Sequence, residues 1–214
     1  MLFRSTDVIE IEGVRELHGV TYRPMKDRIE AGTYLLAGAA CGGEVEVVGV
    51  TPENIRLLLH KLRENGCKIH AKNDKIRVES RGRLKCNRRI ETMPFPGFPT
   101  DLQAQATALN ASCEGCALIV ENLFETRFKY VPELQKMGAD IEVRGRTAFV
   151  RGVKKLHGAR VVAGDLRGGA ALVIAALSAE GESEVLDLSH IDRGYADFRG
   201  KLRKLGADIR RVRI

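Results

Sequence analysis

The sequence predicts an α/β fold of the α+β kind: one domain over residues 1–214, with buried helices inside and sheets outside. Three observations predict it. Three long segments repeat one another; the leading helix of each segment is apolar or small on nearly every face; and the strand candidates alternate apolar with polar residues. A helix without a polar face is buried all round, and alternation with period two marks a sheet covered on one side.

The first segment runs "DRIEAGTYLLAGAACGGEVEVVGV" and then "LLHKLRENGCKI". The second runs "DLQAQATALNASCEGCALIVENL" and then "VPELQKMGADI". The third runs "DLRGGAALVIAALSAEGESEVLDL" and then "FRGKLRKLGADI". Each opens on an aspartate, Asp27, Asp101 or Asp165, and passes through an Ala/Gly-rich helix to Gly43, Gly115 or Gly181. A short strand, an amphipathic helix, a second glycine (Gly66, Gly138, Gly206) and a second strand follow. A further echo joins "GVRELHG" at 13–19 with "GVKKLHG" at 152–158. The spacing of the aspartates is too long for a simple solenoid and suits three copies of one βαβ-rich unit, at about 1–80, 81–150 and 151–214. No stretch reads as a linker.

Within the units, "EVEVVGV", "KIRVE", "DIEVRG" and "TAFVRGV" are the strands, and "PENIRLLLHKLREN" is a half-exposed helix with one apolar stripe. The stretch "PFPGFPTDLQAQ" at 94–105 admits two readings. Thr100 and Gln103 fit a capping box, which leaves Asp101 to complement the helix dipole; alternatively, Asp101 does chemistry. Three such helix ends around a common centre would aim partial positive charge at one region, which suits an anion.

Composition narrows the classes. A formal charge of +7, with clusters at 81–89 and 199–214, suits anionic partners. With 5% aromatic residues and no Trp, stacking platforms for single-stranded nucleic acid are poorly supplied. Phosphorylated metabolites are therefore the expected partners, with no nucleic acid, and a non-catalytic polyanion-binding domain is the alternative. The N-terminal "MLFRSTDVIEIEG" lacks the pattern of a signal peptide, and the apolar runs are too short to cross a bilayer; the expected compartment is the cytoplasm, with no membrane partner. The five cysteines are irregularly spaced, and "CEGC" at 113–116 lacks a second ligand pair for zinc. They read as reduced, mostly buried thiols.

The blocks "DRIEAGTYL", "FPTDLQAQ", "ENLFETRFKYVPELQKMGAD", "DLRGGAALV" and "HIDRGY" resemble the UDP-N-acetylglucosamine enolpyruvyl transferases, in that family's order. The sibling enzymes of the shikimate pathway share the fold but match "FPTDLQAQ" and "HIDRGY" less closely. The resemblance covers the chain from about residue 7 onward and corresponds to the family's C-terminal half only. It implies an inside-out α/β barrel and transfer of the enolpyruvyl group of phosphoenolpyruvate to the 3-hydroxyl of UDP-N-acetylglucosamine, the committing step of peptidoglycan synthesis. No cofactor and no metal are implied. The family's phosphoenolpyruvate-binding Lys and mobile-loop Cys belong to an N-terminal domain with no counterpart here. The strand which that half contributes to this domain is missing too, which implies an open sheet edge and a chain inactive alone. Carried over by motif, Asp101 corresponds to the general base and Arg193 to an arginine that binds phosphoenolpyruvate. Arg167 and Arg127 match charged groups lining the cleft, with Asp165 and Glu125 as their acidic companions. Leu123 falls at a main-chain contact with the sugar nucleotide. His190 reads as a structural hydrogen-bonder.

Overall fold

A computed structural model describes residues 2–3 and 9–212. Two residues on each side, β1 (Leu2–Phe3) and β2 (Ile9–Glu10), pair antiparallel, and residues 10–26 then run exposed to the first long helix.

Three helices form the centre: α1 (Arg28–Cys41), α3 (Gln103–Ala111) and α5 (Leu166–Ser178), each of which packs on the other two. Their small residues permit this approach. A Cβ on Gly32 would lie 2.7 Å from Leu102 Cδ1 and 2.9 Å from Leu58 Cδ2. Every residue of α3 is buried, including Gln103, Gln105, Thr107 and Asn110. Buried polar groups need partners, and neighbouring elements supply most of them, leaving Gln103 Nε2 and Gln105 Oε1 without one. The Tyr130 hydroxyl donates to Gln103 Oε1 and Thr107 Oγ1, and Asn110 bonds both the backbone and the side chain of Asn87.

Each central helix is followed by a strand, a half-exposed helix and a hairpin. In the first unit these are β3 (Glu44–Val48), α2 (Arg56–Asn65), β4 (Lys68–Lys72) and β5 (Lys75–Glu79). The sheet order is β3-β5-β4, with β5 antiparallel to both neighbours. The strands β3 and β4 joined through α2 are therefore parallel, with β5 inserted between them. The second unit repeats this with β7 (Cys116–Val120), α4 (Val131–Lys136), β8 (Asp140–Arg144) and β9 (Thr147–Arg151). Here β9 is the central strand, and β6 (Arg89–Glu91) adds parallel to β7, giving β6-β7-β9-β8. The inward residues of the central strands, Ile76 and Val78 on β5 and Ala148 and Val150 on β9, are fully buried, as the alternation predicts.

The third unit departs from the pattern. Its β10 (Arg160–Val162) pairs parallel with β11 (Glu184–Leu186), and α6 (Ser189–Asp192) and α7 (Phe198–Lys204) follow. The strand expected after Gly206 does not form among the described residues: 207–212 carry no ladder. A strand needs a neighbour to bond, and the unit has no counterpart of β5 or β9 for these residues to pair with. A groove of about 980 Å³ lies there instead, lined by Val45, Val173, Val185, Leu202 and Ile209 among others.

The cysteine expectation holds in part. Cys67, Cys86 and Cys113 are buried, Cys41 and Cys116 are exposed, and all five are free. Burial pushes the Cys67 and Cys86 thiols up to about 11 and Cys113 to about 12. No helix is long and apolar enough to cross a membrane among the described residues.

Candidate active site

The three opening aspartates part company. Asp27 caps α1, accepting from the Ile29 and Glu30 N–H groups at 2.7 and 3.2 Å. Asp165 caps α5, accepting from Arg167 N and Gly168 N at 2.9 and 2.8 Å. Asp101 does not cap. It sits inside a 3₁₀ turn, Thr100–Leu102, that leads into α3. The capping box also fails. The Thr100 hydroxyl donates to Glu121 Oε2 at 2.9 Å, and Gln103 Oε1 accepts from Tyr130. These long-range partners outcompete the local ones because they satisfy buried groups that would otherwise be orphaned.

Freed from the helix end, the Asp101 carboxylate is held by two guanidinium groups, one on each oxygen. Arg127 donates to Oδ1, and Arg167 Nη2 donates to Oδ2 at 2.9 Å. The carboxylate keeps 37% of its side-chain exposure, against 20% for Arg127 and 16% for Arg167, so it opens to solvent from a half-buried cationic cradle. Burial opposes the charge on Arg167, but Tyr195 and Asp101 outweigh it and hold the guanidinium above its ordinary value.

Tyr195 ties this cradle to the centre of the fold. Its hydroxyl lies 3.0 Å from Thr33 Oγ1 on α1, 3.4 Å from Gln105 Nε2 on α3 and 3.3 Å from Arg167 Nη1 on α5. One oxygen thus touches the N-terminal part of all three central helices, so those ends converge as the repeat implied.

Glu121 braces the other side. It is fully buried, and its carboxylate accepts from Thr92 Oγ1, Thr100 Oγ1, Leu123 N and Phe124 N at 2.9–3.1 Å. It joins the turn carrying Asp101 to the loop carrying Arg127. The guanidinium of Arg127 also lies 5.1 Å from the centre of the Phe124 ring, within cation–π range.

Asp101, Arg127 and Arg167 are therefore brought together. Glu125 and Asp165 are not their acidic companions: Glu125 pairs with Arg146 at 3.1 Å on the surface, and Asp165 is committed to its helix cap. Arg127, paired with Asp101, does not pair with Glu125 either. Leu123 is partly exposed, with its N–H turned to Glu121. Arg193 is exposed at the end of α6, without a side-chain hydrogen bond or ion pair among the described residues. His190 Nε2 lies 3.6 Å from Asp187, a surface contact. Sequence reasoning passed over Glu121 and Tyr195, although both lie in the matching blocks. Nothing local marks either one as part of the site, because the contacts that tie them to it, Thr100 to Glu121 and Arg167 to Tyr195, span 21 and 28 residues.

The sequence pattern of the EPSP synthase (3-phosphoshikimate 1-carboxyvinyltransferase) family matches residues 3–202. The chain belongs to this family. Among curated proteins, it is 49% identical over 208 residues to the UDP-N-acetylglucosamine 1-carboxyvinyltransferase of Clostridium botulinum and 50% identical to that of Koribacter versatilis. In each case 97% of this chain is covered, against 50% and 48% of the relative, so the chain spans about half the length of these proteins. It is 51% identical to the Desulfofundulus thermocisternus protein of the same name, covering 86% of that shorter relative. Among solved structures, the family enzyme NikO from Streptomyces tendae superposes with a TM-score of 0.78 at 29% identity, over 87% of this chain and 44% of that one. EPSP synthase from Acinetobacter baumannii shares the fold, with a TM-score of 0.64 at 19% identity, over 87% of this chain and 43% of that one.

Proposed function

We propose that this chain is one half of an enolpyruvyl transferase, the C-terminal inside-out α/β barrel, and that it supplies one wall of a site for UDP-N-acetylglucosamine and phosphoenolpyruvate. The observation that carries the reading is the release of Asp101 from the capping role kept by Asp27 and Asp165, and its capture between Arg127 and Arg167. A carboxylate held this way has both oxygens oriented, which is what a general base requires. A neutral sugar hydroxyl adds poorly to the carbon of an enol phosphate. With Asp101 taking the 3-hydroxyl proton, oxygen bonds to that carbon while the neighbouring methylene carbon takes a proton from an acid of the other half; the tetrahedral adduct then gives up a methyl proton as it expels phosphate, which restores the double bond and leaves an enolpyruvyl ether.

The arginines have a second use in this scheme. Guanidinium forks suit carboxylates and phosphates. An incoming anionic substrate competes with Asp101 for Arg127 and Arg167, and each contact it draws off frees an Asp101 oxygen for the proton. The unpaired Arg193 is placed in the same role, toward phosphoenolpyruvate. The Leu123 backbone is assigned to the sugar nucleotide. Asp165 and Glu125 line the cleft while holding the α5 end and Arg146.

The partner wall, with the family's Lys and Cys, lies in the other half, and the chemistry needs both to exclude water. The reading assigns the chain to the cytoplasm. The test is phosphate release from the two substrates by a chimera that joins the N-terminal half of the Clostridium botulinum relative to this chain. Asp101→Asn should lower turnover by about 10²–10⁴, with the fold retained, and the 214-residue chain alone should release no phosphate above a blank. A chimera whose Asp101→Asn variant turns over normally would refute the role.

A further inference from the structure

The third unit lacks the central strand that β5 and β9 provide in the other two, and a groove stands in its place. The chain itself holds a segment with the missing strand's pattern. Aligned on the echo between 13–19 and 152–158, "IEIEG" at 9–13 falls on "AFVRG" at 148–152, the end of β9, and on "IRVES" at 76–80, the end of β5. Ile9 and Ile11 then occupy the inward positions that Ile76, Val78, Ala148 and Val150 fill with no exposure. Yet Ile11 is 75% exposed and Leu17 is 93% exposed, whereas the residues aligned with Leu17, Leu84 and Leu156, are buried.

Register and reach agree. Where a central strand ends, the next backbone N–H closes on the glycine before the unit's first strand. Ser80 N donates to Gly43 O at 3.0 Å, and Gly152 N to Gly115 O at 2.9 Å. The corresponding pair in the third unit is Gly13 N and Gly181 O, and Gly181 lines the groove. Thirteen positions separate Gly152 from the capping Asp165, and fourteen separate Gly13 from the capping Asp27, so the connection has the length that already makes this crossing once. The same register sets Ile9 opposite Val185, Ile11 opposite Ile209, and Glu10 between Glu184 and Arg210.

We propose that residues 9–12 of this chain exchange their pairing with Leu2–Phe3 for the groove, entering it as an extended strand between β11 and residues 207–211 and closing the one open unit. Main-chain bonds to two flanking strands would hold it, with Ile11 filling the apolar floor. Two positions oppose closure: Glu10 falls opposite Glu184, and Glu12 falls between Glu182 and Asp208, where the second unit pairs Arg151 with Asp140 at 3.0 Å. The inference concerns the 214-residue chain by itself; in the two-half enzyme of the functional reading, the strand contributed by the other half would compete for the same groove.

The test is amide hydrogen exchange on the 214-residue chain, read with its association state. Closure slows exchange at 10–13 by more than about tenfold over an unstructured segment, in a monomer. Ile11→Asp abolishes that protection and lowers protection across Glu184–Leu186. Glu12→Arg, which recreates the Arg151–Asp140 pairing against Asp208, raises both protection and Tm. Fast exchange at 10–13, no response of Glu184–Leu186 to Ile11→Asp together with no gain from Glu12→Arg, or protection that appears only in a dimer would each overturn the proposal.

Discussion

Glu121→Ala is the perturbation that most directly probes the architecture of the site. Four donors converge on this fully buried carboxylate, from Thr92, Thr100, Leu123 and Phe124. Truncation orphans all four, and an unsatisfied buried donor costs about 1–3 kcal/mol. The full sum is not expected, because residues 122–126 are exposed and the loop relaxes toward water. About 3–5 kcal/mol remains, large for a single substitution. Glu121→Gln separates hydrogen bonding from charge. Its retained oxygen still serves Thr92, Leu123 N and Phe124 N, and the Thr100 hydroxyl turns to accept from the new amide, so the cost falls to about 1 kcal/mol. Urea unfolding monitored by circular dichroism measures both, as midpoint shifts at constant slope. An alanine variant within about 1 kcal/mol of the parent, or a glutamine variant as unstable as the alanine one, would refute the reasoning.

Two further outcomes follow from the packing and the charges. Gly152→Ala would drive a Cβ to 1.8 Å from the Cys113 carbonyl oxygen; backbone must shift, and thermal unfolding should show a loss of at least about 1–3 kcal/mol, so an unchanged Tm would count against the close approach of these segments. Burial pushes Glu133 up, but Lys136 and the Val162 N–H outweigh it and hold the carboxyl below its ordinary range. A depressed folded value stabilises the protein above the unfolded carboxylate range and loses that contribution as pH falls through the folded value; the stability gap between parent and Glu133→Gln should therefore be full at about pH 7 and shrink as pH falls below the ordinary carboxylate range, and a gap that stays constant on acidification would exclude the assignment.

Much of the fold was legible because it rests on local periodicity. The small, all-round apolar character of 28–41, 103–111 and 166–178 requires burial wherever those helices go, and the strict alternation in 75–79 and 147–151 requires a sheet with one covered face. The left-handed glycines that punctuate the units, Gly66, Gly115, Gly138 and Gly181, adopt positive φ values that few other residues take. The repeat even carried the equivalence of Asp27, Asp101 and Asp165 as positions. Their division of labour was not in the local sequence. Asp27 and Asp165 cap their helices with groups two and three residues away, a choice the chain makes by itself. Asp101 answers to Arg127 and Arg167, 26 and 66 residues distant, and Thr100 abandons a neighbouring cap for Glu121. The sequence by itself determined three buried helices, their covered strands and the equivalence of the three aspartates as positions. Only tertiary structure decided which aspartate was drawn between two arginines and, among the described residues, which segment was left without a strand partner, because a buried polar group takes whichever partner the packed chain brings to it.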